Sequence, residues 1–271
     1  MITPKDSRVD TGCISDLMAR DSVASGDLVY IPQFHLVFAF ISKNASSLMK
    51  TYFASLADGM AVGPPARNPH VRTNTGFLSE HELGATKMAE LLADPSIPKI
   101  VLGRDPVARL VSAWNSRVHT WTLQPYQSPQ ELRDWIQIRQ EIAGHSQDQH
   151  ASPPRAALIE EIPFPALVDY VAATPSSLLD RHLAPQTFLC ASHLIEYSLV
   201  GRVEEMNPFL SQLSHYLPDK SPPRNDLVLN ASRDSSLHVS AVSADLRAQI
   251  YRRYVGDYTF FGYPIPDGVD R

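Results

Sequence analysis

The chain has little that covalent or metal cross-links could use. Its 271 residues include two cysteines, Cys13 and Cys190. They form no CxxC pair and no Cys/His cluster, which excludes a disulfide framework and a cysteine-based metal site and leaves two ordinary free thiols. Glycines number 12 against 22 prolines. The prolines gather in VGPPARNP, ASPPRA, EIPFPA and DKSPPRND, which read as turns and loop ends rather than a disordered tail. The longest apolar run, Leu36 to Ile41, is far too short to span a bilayer. The first thirty residues carry Lys5 and Arg8 without the apolar stretch of a secretory signal, so the expectation is a soluble, intracellular chain. Internal repeats and sustained runs of like charge are also lacking. A net charge of −5 argues against general affinity for nucleic acid, which needs clustered Lys and Arg. Local basic spots remain around Lys43, Arg104, Arg109 and Arg117.

What is present suits a sizeable core, with 44% hydrophobic and 20% charged residues. FHLVFAFI (34–41) is apolar nearly throughout, as a strand buried on both faces of a parallel sheet should be. The next segment, ASSLMKTYFASLADG, reads as a helix ending at Gly59. SEHELGATKMAELLAD reads as one helix, with Ser79 and Glu82 in a capping-box pattern. IPKIVLGRDP gives a second buried strand, closed by Arg104-Asp105-Pro106, and Pro106 sits where a helix can begin. Apolar residues at 107, 110, 111 and 114 carry that helix on. Two βα units therefore stand in the first half, the signature of a parallel α/β sheet with ligands at the strand C-termini. Further helices are expected over 128–143, 163–173 and 207–217, short strands over PQTFLC and YSLVGRVEEM, and a terminal amphipathic helix followed by an aromatic segment. The polar stretch GHSQDQHASPPRA is expected as a solvated loop.

Two stretches carry candidate chemistry. SKNASS, Ser42 to Ser47, joins a strand to a helix. A helix N-terminus offers unpaired N–H groups and partial positive charge, so an anion placed there gains hydrogen bonds. Lys43 adds a mobile charge, and Ser46 and Ser47 add hydroxyl donors. The loop suits a phosphate-like or sulfate-like group, yet it has no glycine and its Lys comes early, so it is not a Walker loop. In VLGRDPVARLVSAW, Arg104 stands at the tip of the second strand and Ser112 on the helix beyond. An Arg fork and a Ser hydroxyl can share one phosphate. Asp105 can equally cap the helix and pair with Arg109. Each stretch alone is compatible with a capped helix and surface cations.

Together they resemble the two nucleotide-binding elements of the sulfotransferases that use 3′-phosphoadenosine 5′-phosphosulfate (PAPS). The similarity is closest to the carbohydrate sulfotransferases of the family 2 type. The second element follows an R-D-P-x-x-R-x-x-S-x pattern through Arg104, Asp105, Pro106, Arg109, Leu110, Ser112 and Ala113. The first is looser, with Ser42 where the family's P-K-x-G/A-x-[ST]-[ST] has Pro. Downstream, RHLAPQTFLC resembles H-W-x-P-Q-x-x-x-C with Leu183 for Trp, and YSLVGRVEEM resembles Y-D-x-I-G-x-x-E with Ser198 for Asp. NAS at 230–232 and IYRRYVGDYTFFGY resemble the C-terminal block, so the likeness runs from about Phe34 to Tyr263.

The resemblance implies an α/β fold. Its P-loop-like parallel sheet is flanked by helices and joined to a helical, loop-rich acceptor-binding lobe. It implies one domain over 1–271, with a loosely ordered segment at 1–27 and a helical acceptor-side insertion at 120–180. It also implies in-line transfer of a sulfuryl group from PAPS to a hydroxyl, without a metal. By resemblance Lys43 contacts the bridging or leaving oxygen, and Asn44, Ala45, Ser46, Ser47 and Leu48 hold the 5′-phosphate through backbone N–H and hydroxyl groups. Arg104 and Ser112 hold the 3′-phosphate. Arg202 with Glu204 reaches the donor, fixes the 182–190 segment, or forms a surface ion pair. The candidate bases are His70, Glu80, His81 and His182; His182 is best supported by resemblance, with His81 next. Asp169, Trp114 and Trp135 read as solvated or core positions. The implied acceptor is a glycan or glycosylated metabolite, not nucleic acid. Related Golgi enzymes carry an N-terminal membrane anchor, so the expectation here is a bacterial cytoplasmic enzyme, or one trimmed of its anchor. Two rivals stay open: an ATP-dependent phosphotransferase at the same loop, and a non-catalytic protein that binds PAPS or the bisphosphate PAP.

Overall fold

The structure, a computed structural model, describes residues 27–57, 75–118, 129–146, 162–217 and 237–269. His70, the 147–156 part of the polar stretch and residues 230–232 lie outside them. In chain order the elements are β1 (Leu28–Ile31), β2 (Leu36–Ala39), α1 (Ser46–Ala57), β3 (Leu78–Ser79), α2 (Glu80–Leu83), α3 (Ala85–Ala93) and β4 (Lys99–Gly103). Then follow α4 (Pro106–Ala113), α5 (Pro129–Ser146), α6 (Phe164–Ala173), α7 (Gln186–Leu189), β5 (Leu199–Arg202), α8 (Met206–Leu213) and α9 (Ala244–Phe261). Among the described residues no helix is long and apolar enough to cross a membrane.

The chain divides into two compact units: residues 1–104 with 186–230, and residues 105–185 with 231–271. The sequence reading placed all of 1–271 in one domain with an insertion at 120–180. The second unit begins earlier than that insertion and also takes in the C-terminal helix.

The first unit is built on a five-stranded sheet in the order β3-β1-β2-β4-β5. Strands β2, β4 and β5 run parallel, while β1 is antiparallel to both β2 and β3. The sheet is therefore mixed, not wholly parallel as the sequence suggested. The reason is local. Only a short 3-10 turn, Pro32–Phe34, and His35 in the left-handed region at φ 51° separate β1 from β2. So short a return can make only an antiparallel partner, because a parallel crossover needs a dozen residues or more.

Both strands read as buried behave so. All four residues of β2 and all five of β4 are buried. Aromatic rings fill one side: the Phe38 ring centroid lies 4.6 Å from that of Phe40 and 5.2 Å from that of Phe53. The helix expected over 79–94 is broken at Gly84, where φ is 82° and ψ is 151°. Its capping box holds, with the Ser79 side chain accepting from the backbone of His81 and the Glu82 side chain accepting from Ser79 N–H. PQTFLC, expected as a strand, is the one-turn helix α7, closed by Cys190 N–H donating to Gln186 O at 2.9 Å. A short apolar run does not distinguish strand from helix, and Pro185 just ahead favours a helix start.

The second unit is helical. The Trp114 indole N–H donates to Ile162 O at 2.8 Å, and Gln249 donates to Asp169 at 2.8 Å. The terminal aromatic segment does not follow the last helix. It is part of α9, which bends at Tyr254 (φ −112°, ψ 24°) and ends at Gly262 with φ 69°.

The glycine of the VGRVEE stretch has a packing reason. A Cβ on Gly201 in β5 would stand 2.1 Å from Cδ2 of Phe209, a ring of α8 that is 2% exposed. Gly201→Ala is expected to destabilise the fold by about 1–3 kcal/mol through overpacking. Thermal unfolding measures this, and an unchanged Tm would mean that the ring has room to move.

Candidate active site

In the first unit, the loop after β2 turns sharply without glycine. Lys43 (φ 70°) and Ala45 (φ 56°) both occupy the left-handed region. For residues with a Cβ this costs about 1–2 kcal/mol each, so the surroundings must hold the turn in place. Asn44 does much of that holding. Its backbone N–H donates to Ile41 O at 3.2 Å. Its side chain is buried and donates to Leu102 O at 2.9 Å and to Gln186 Oε1 at 2.6 Å. The Asn44 side chain therefore shapes the loop from within.

Gln186, which sequence reasoning assigned no role, is the centre of the arrangement. It is fully buried, and its amide grips both backbone groups of Arg104. Oε1 accepts from Arg104 N–H at 2.9 Å, and Nε2 donates to Arg104 O at 2.9 Å. The side chain thus extends the ladder one residue past the end of β4. Arg104 in turn donates from Nη1 to Lys43 O at 2.9 Å. Ties from Asn44 through Gln186 to Arg104, and from Arg104 to Lys43, fix the ends of β2 and β4 in one cluster. The Gln186 signal was in the sequence, since it falls in the quoted P-Q-x-x-x-C pattern, but only its partners reveal what it does.

The donor chemistry of this cluster fits an anionic group. Lys43 and Arg104 are cations, Ser46 and Ser47 open α1, and the first turn of α1 has no acidic residue. A helix N-terminus with hydroxyls and two cations is suited to phosphate or sulfate. Ala45 and Leu48 pack their side chains against the core, leaving only their backbone for such a role. Arg202 ends β5 with Gly103 as its register partner, and its guanidinium pairs with Glu205, next to the Glu204 that the sequence suggested. At half-exposed positions that pair contributes little. His81 is exposed on α2, just after β3, with two strand spacings between β3 and β2.

The remaining candidates belong to the second unit. Ser112 lies half-buried on α4. Asp105 caps α4, accepting from Ala108 N–H at 2.8 Å. Arg109, which the sequence offers as a partner for that cap, reaches farther along the chain. Its buried guanidinium donates to Ala184 O at 2.8 Å and Arg181 O at 2.9 Å. His182 stands on the segment Arg109 grips, with its Nδ1 2.7 Å from Asp180 Oδ1. The structure thus brings Lys43, Asn44, Ser46, Ser47 and Arg104 together in one unit and sets Ser112 and His182 in the other.

Gln186→Ala would remove the side-chain partner of the Arg104 N–H and C=O and one of the two partners of the Asn44 amide. Each buried group left unpaired costs about 1–3 kcal/mol, so a fall in stability of several kcal/mol is expected in chemical denaturation. A loss under 1 kcal/mol would mean that water replaces the amide.

Residues 26–264 match the sulfotransferase family. Carbohydrate sulfotransferase 14 of Mus musculus is 24% identical over 182 residues, covering 62% of this chain and 43% of its own length. Carbohydrate sulfotransferase 10 of Homo sapiens is 25% identical over 187 residues, 62% of this chain and 48% of its own. Carbohydrate sulfotransferase 12 of Mus musculus is 24% identical over 264 residues, 87% and 59% respectively. The chain spans about half the length of the curated relatives it matches. No solved structure matches it. With more than half of its residues matched, the chain belongs to the sulfotransferase family.

Proposed function

We propose that this protein is an enzyme that moves a sulfuryl group from PAPS to a hydroxyl of a carbohydrate or glycosylated small molecule. The observation that carries the reading is the cluster of Lys43, Ser46, Ser47 and Arg104, held by the Asn44–Gln186 amide pair at the ends of parallel strands. Ligands of parallel sheets gather at that edge. The carbohydrate acceptor is suggested by the names of the relatives.

PAPS supplies the sulfuryl group and a good leaving group, its bridging phosphate oxygen. The chain's own residues do the rest. Ser46, Ser47 and the start of α1 bind the 5′-phosphate side, and Lys43 balances the negative charge that builds as the sulfur–oxygen bond breaks. Arg104, with Ser112, is the choice for the 3′-phosphate that distinguishes PAPS from ATP or ADP. A base takes the acceptor's proton as its oxygen bonds to sulfur, and His182 is that base. Because Gln186 and Asn44 fix the loop before any ligand arrives, little ordering remains at the moment of transfer.

Calorimetry with adenosine 3′,5′-bisphosphate and ADP tests the donor site. The bisphosphate is expected to bind and ADP not. Arg104→Ala is expected to weaken bisphosphate binding about 10- to 100-fold, the worth of one charge-assisted contact of roughly 1.5–3 kcal/mol. Equal binding of both nucleotides, or of neither, overturns the reading. Transfer from radiolabelled PAPS to p-nitrophenyl glycosides tests the chemistry. Lys43→Ala is expected to abolish most turnover while leaving bisphosphate affinity within about tenfold, whereas a protein that only binds the nucleotide would give no transfer even as wild type.

A further inference from the structure

The segment 180–184 of the second unit is held more firmly than a loop needs for packing alone. Arg109, 2% exposed, donates to the carbonyls of Arg181 and Ala184 at 2.9 and 2.8 Å. Tyr254 donates its hydroxyl to Leu183 O at 2.5 Å. Burial pushes the Tyr254 phenol far above its ordinary value, so it stays a donor at any physiological pH. The backbone closes on itself as well, with Leu183 and Ala184 N–H both donating to Asp180 O at 2.8 Å. Every carbonyl from residue 180 to 184 except that of His182 itself thus accepts a hydrogen bond from these groups.

At the centre of this fixed segment, one oxygen of Asp180 takes two hydrogen bonds from the same residue. Oδ1 accepts the His182 backbone N–H at 2.7 Å and faces His182 Nδ1 at 2.7 Å. Burial alone would push the Asp180 carboxyl up. The hydrogen bonds and charge of His182, helped by Arg181, outweigh it and hold the group below the ordinary carboxylate range. The carboxylate is therefore ionised and can only accept, which places the hydrogen on Nδ1. The ring is braced from the side by Trp135, itself fully buried, whose centroid lies 5.7 Å away at 63°.

We propose that Asp180 is a positioning residue for His182: it locks the imidazole in the Nδ1–H form, so that Nε2 is the nitrogen that takes the proton. This deepens the role given to His182 above and rests on that reading for its catalytic meaning. The logic is that of a carboxylate orienting an imidazole base through its other nitrogen. The proton balance is simple. The acceptor hydroxyl's hydrogen passes to Nε2, its oxygen keeps the electron pair that bonds to sulfur, and Nδ1 keeps its hydrogen on Asp180 throughout. Asp180 itself neither gains nor loses a proton.

Histidine-selective ¹⁵N NMR of the full chain, recorded at alkaline pH where the ring is neutral and assigned with His182→Ala, tests this without any acceptor. Wild type is expected to show a protonated Nδ1 and an unprotonated Nε2 at His182. Asp180→Ala is expected to return the ring to the Nε2–H form that a free imidazole prefers. Wild-type His182 in the Nε2–H form overturns the proposal, and that measurement stands even if Asp180→Ala does not fold. So does an Asp180→Ala ring that keeps Nδ1–H. Calorimetry with adenosine 3′,5′-bisphosphate separates the two levels of the argument. Asp180→Ala is expected to bind it as wild type does, so a parallel loss of nucleotide affinity would also count against a role confined to His182. Where a p-nitrophenyl glycoside is turned over, Asp180→Ala should lower kcat about 10- to 100-fold with KM for PAPS unchanged, the range found where a carboxylate orients a metal-bound histidine. Full activity in His182→Ala would instead overturn the base assignment under the proposed function and leave the tautomer result to be judged by the spectra alone.

Discussion

The first unit depends on one buried carboxamide. Gln186 satisfies the backbone N–H and C=O of Arg104 and receives the Asn44 amide, all in a fully buried position. Without it, the chain leaving β4 would lose the partner of two backbone groups, and the left-handed turn at Lys43 and Ala45 would lose part of its inner support. A side chain from far along the sequence thus does what another strand would do elsewhere. It ends β4 without exposing its ladder, and it makes the loop after β2 and the tip of β4 parts of one rigid cluster.

That rigidity bears directly on chemistry. A transfer reaction whose catalysis is mostly charge placement gains from donors that do not have to reorganise. Here the cations and hydroxyls sit on the outside of a cluster whose interior hydrogen bonds are already made. The absence of glycine in SKNASS then has a physical meaning. Glycine would make the turn easy to form but also easy to unmake. Lys43 and Ala45 adopt the same backbone at a cost that the buried Asn44–Gln186 pair and the packing of Ala45 and Leu48 offset.

The second unit repeats the theme with different groups. Arg109 is a charge taken almost wholly out of water and spent on two backbone carbonyls. Burying a guanidinium is a costly way to hold a loop. What it holds is the segment with His182, whose ring and backbone N–H both rest on Asp180. The R-D-P-x-x-R pattern therefore divides its labour. Its first Arg belongs to the cluster around Lys43, its Asp caps α4, and its second Arg fixes the histidine segment.

Much was legible in the sequence because it depends on neighbours along the chain. The buried strands β2 and β4, the capping box at Ser79, the helix start at Pro106 and the basic and hydroxyl residues of the two loops are all set by local pattern. Composition likewise showed that cysteine could play no framework role, and Cys190 is indeed a buried free thiol. Tertiary structure decided the rest. Whether PQTFLC became strand or helix, and whether β1 ran with or against β2, turned on pairing that a short apolar run does not encode. The inward turn of Asn44, the grip of Gln186 on Arg104, the reach of Arg109 to residues 181 and 184, and the seat of His182 on Asp180 are mostly hydrogen bonds between residues tens of positions apart. A sequence can show that such donors and acceptors exist, but only the folded chain decides which of them is buried beside which, and a buried polar group must find its partner there or be left unpaired.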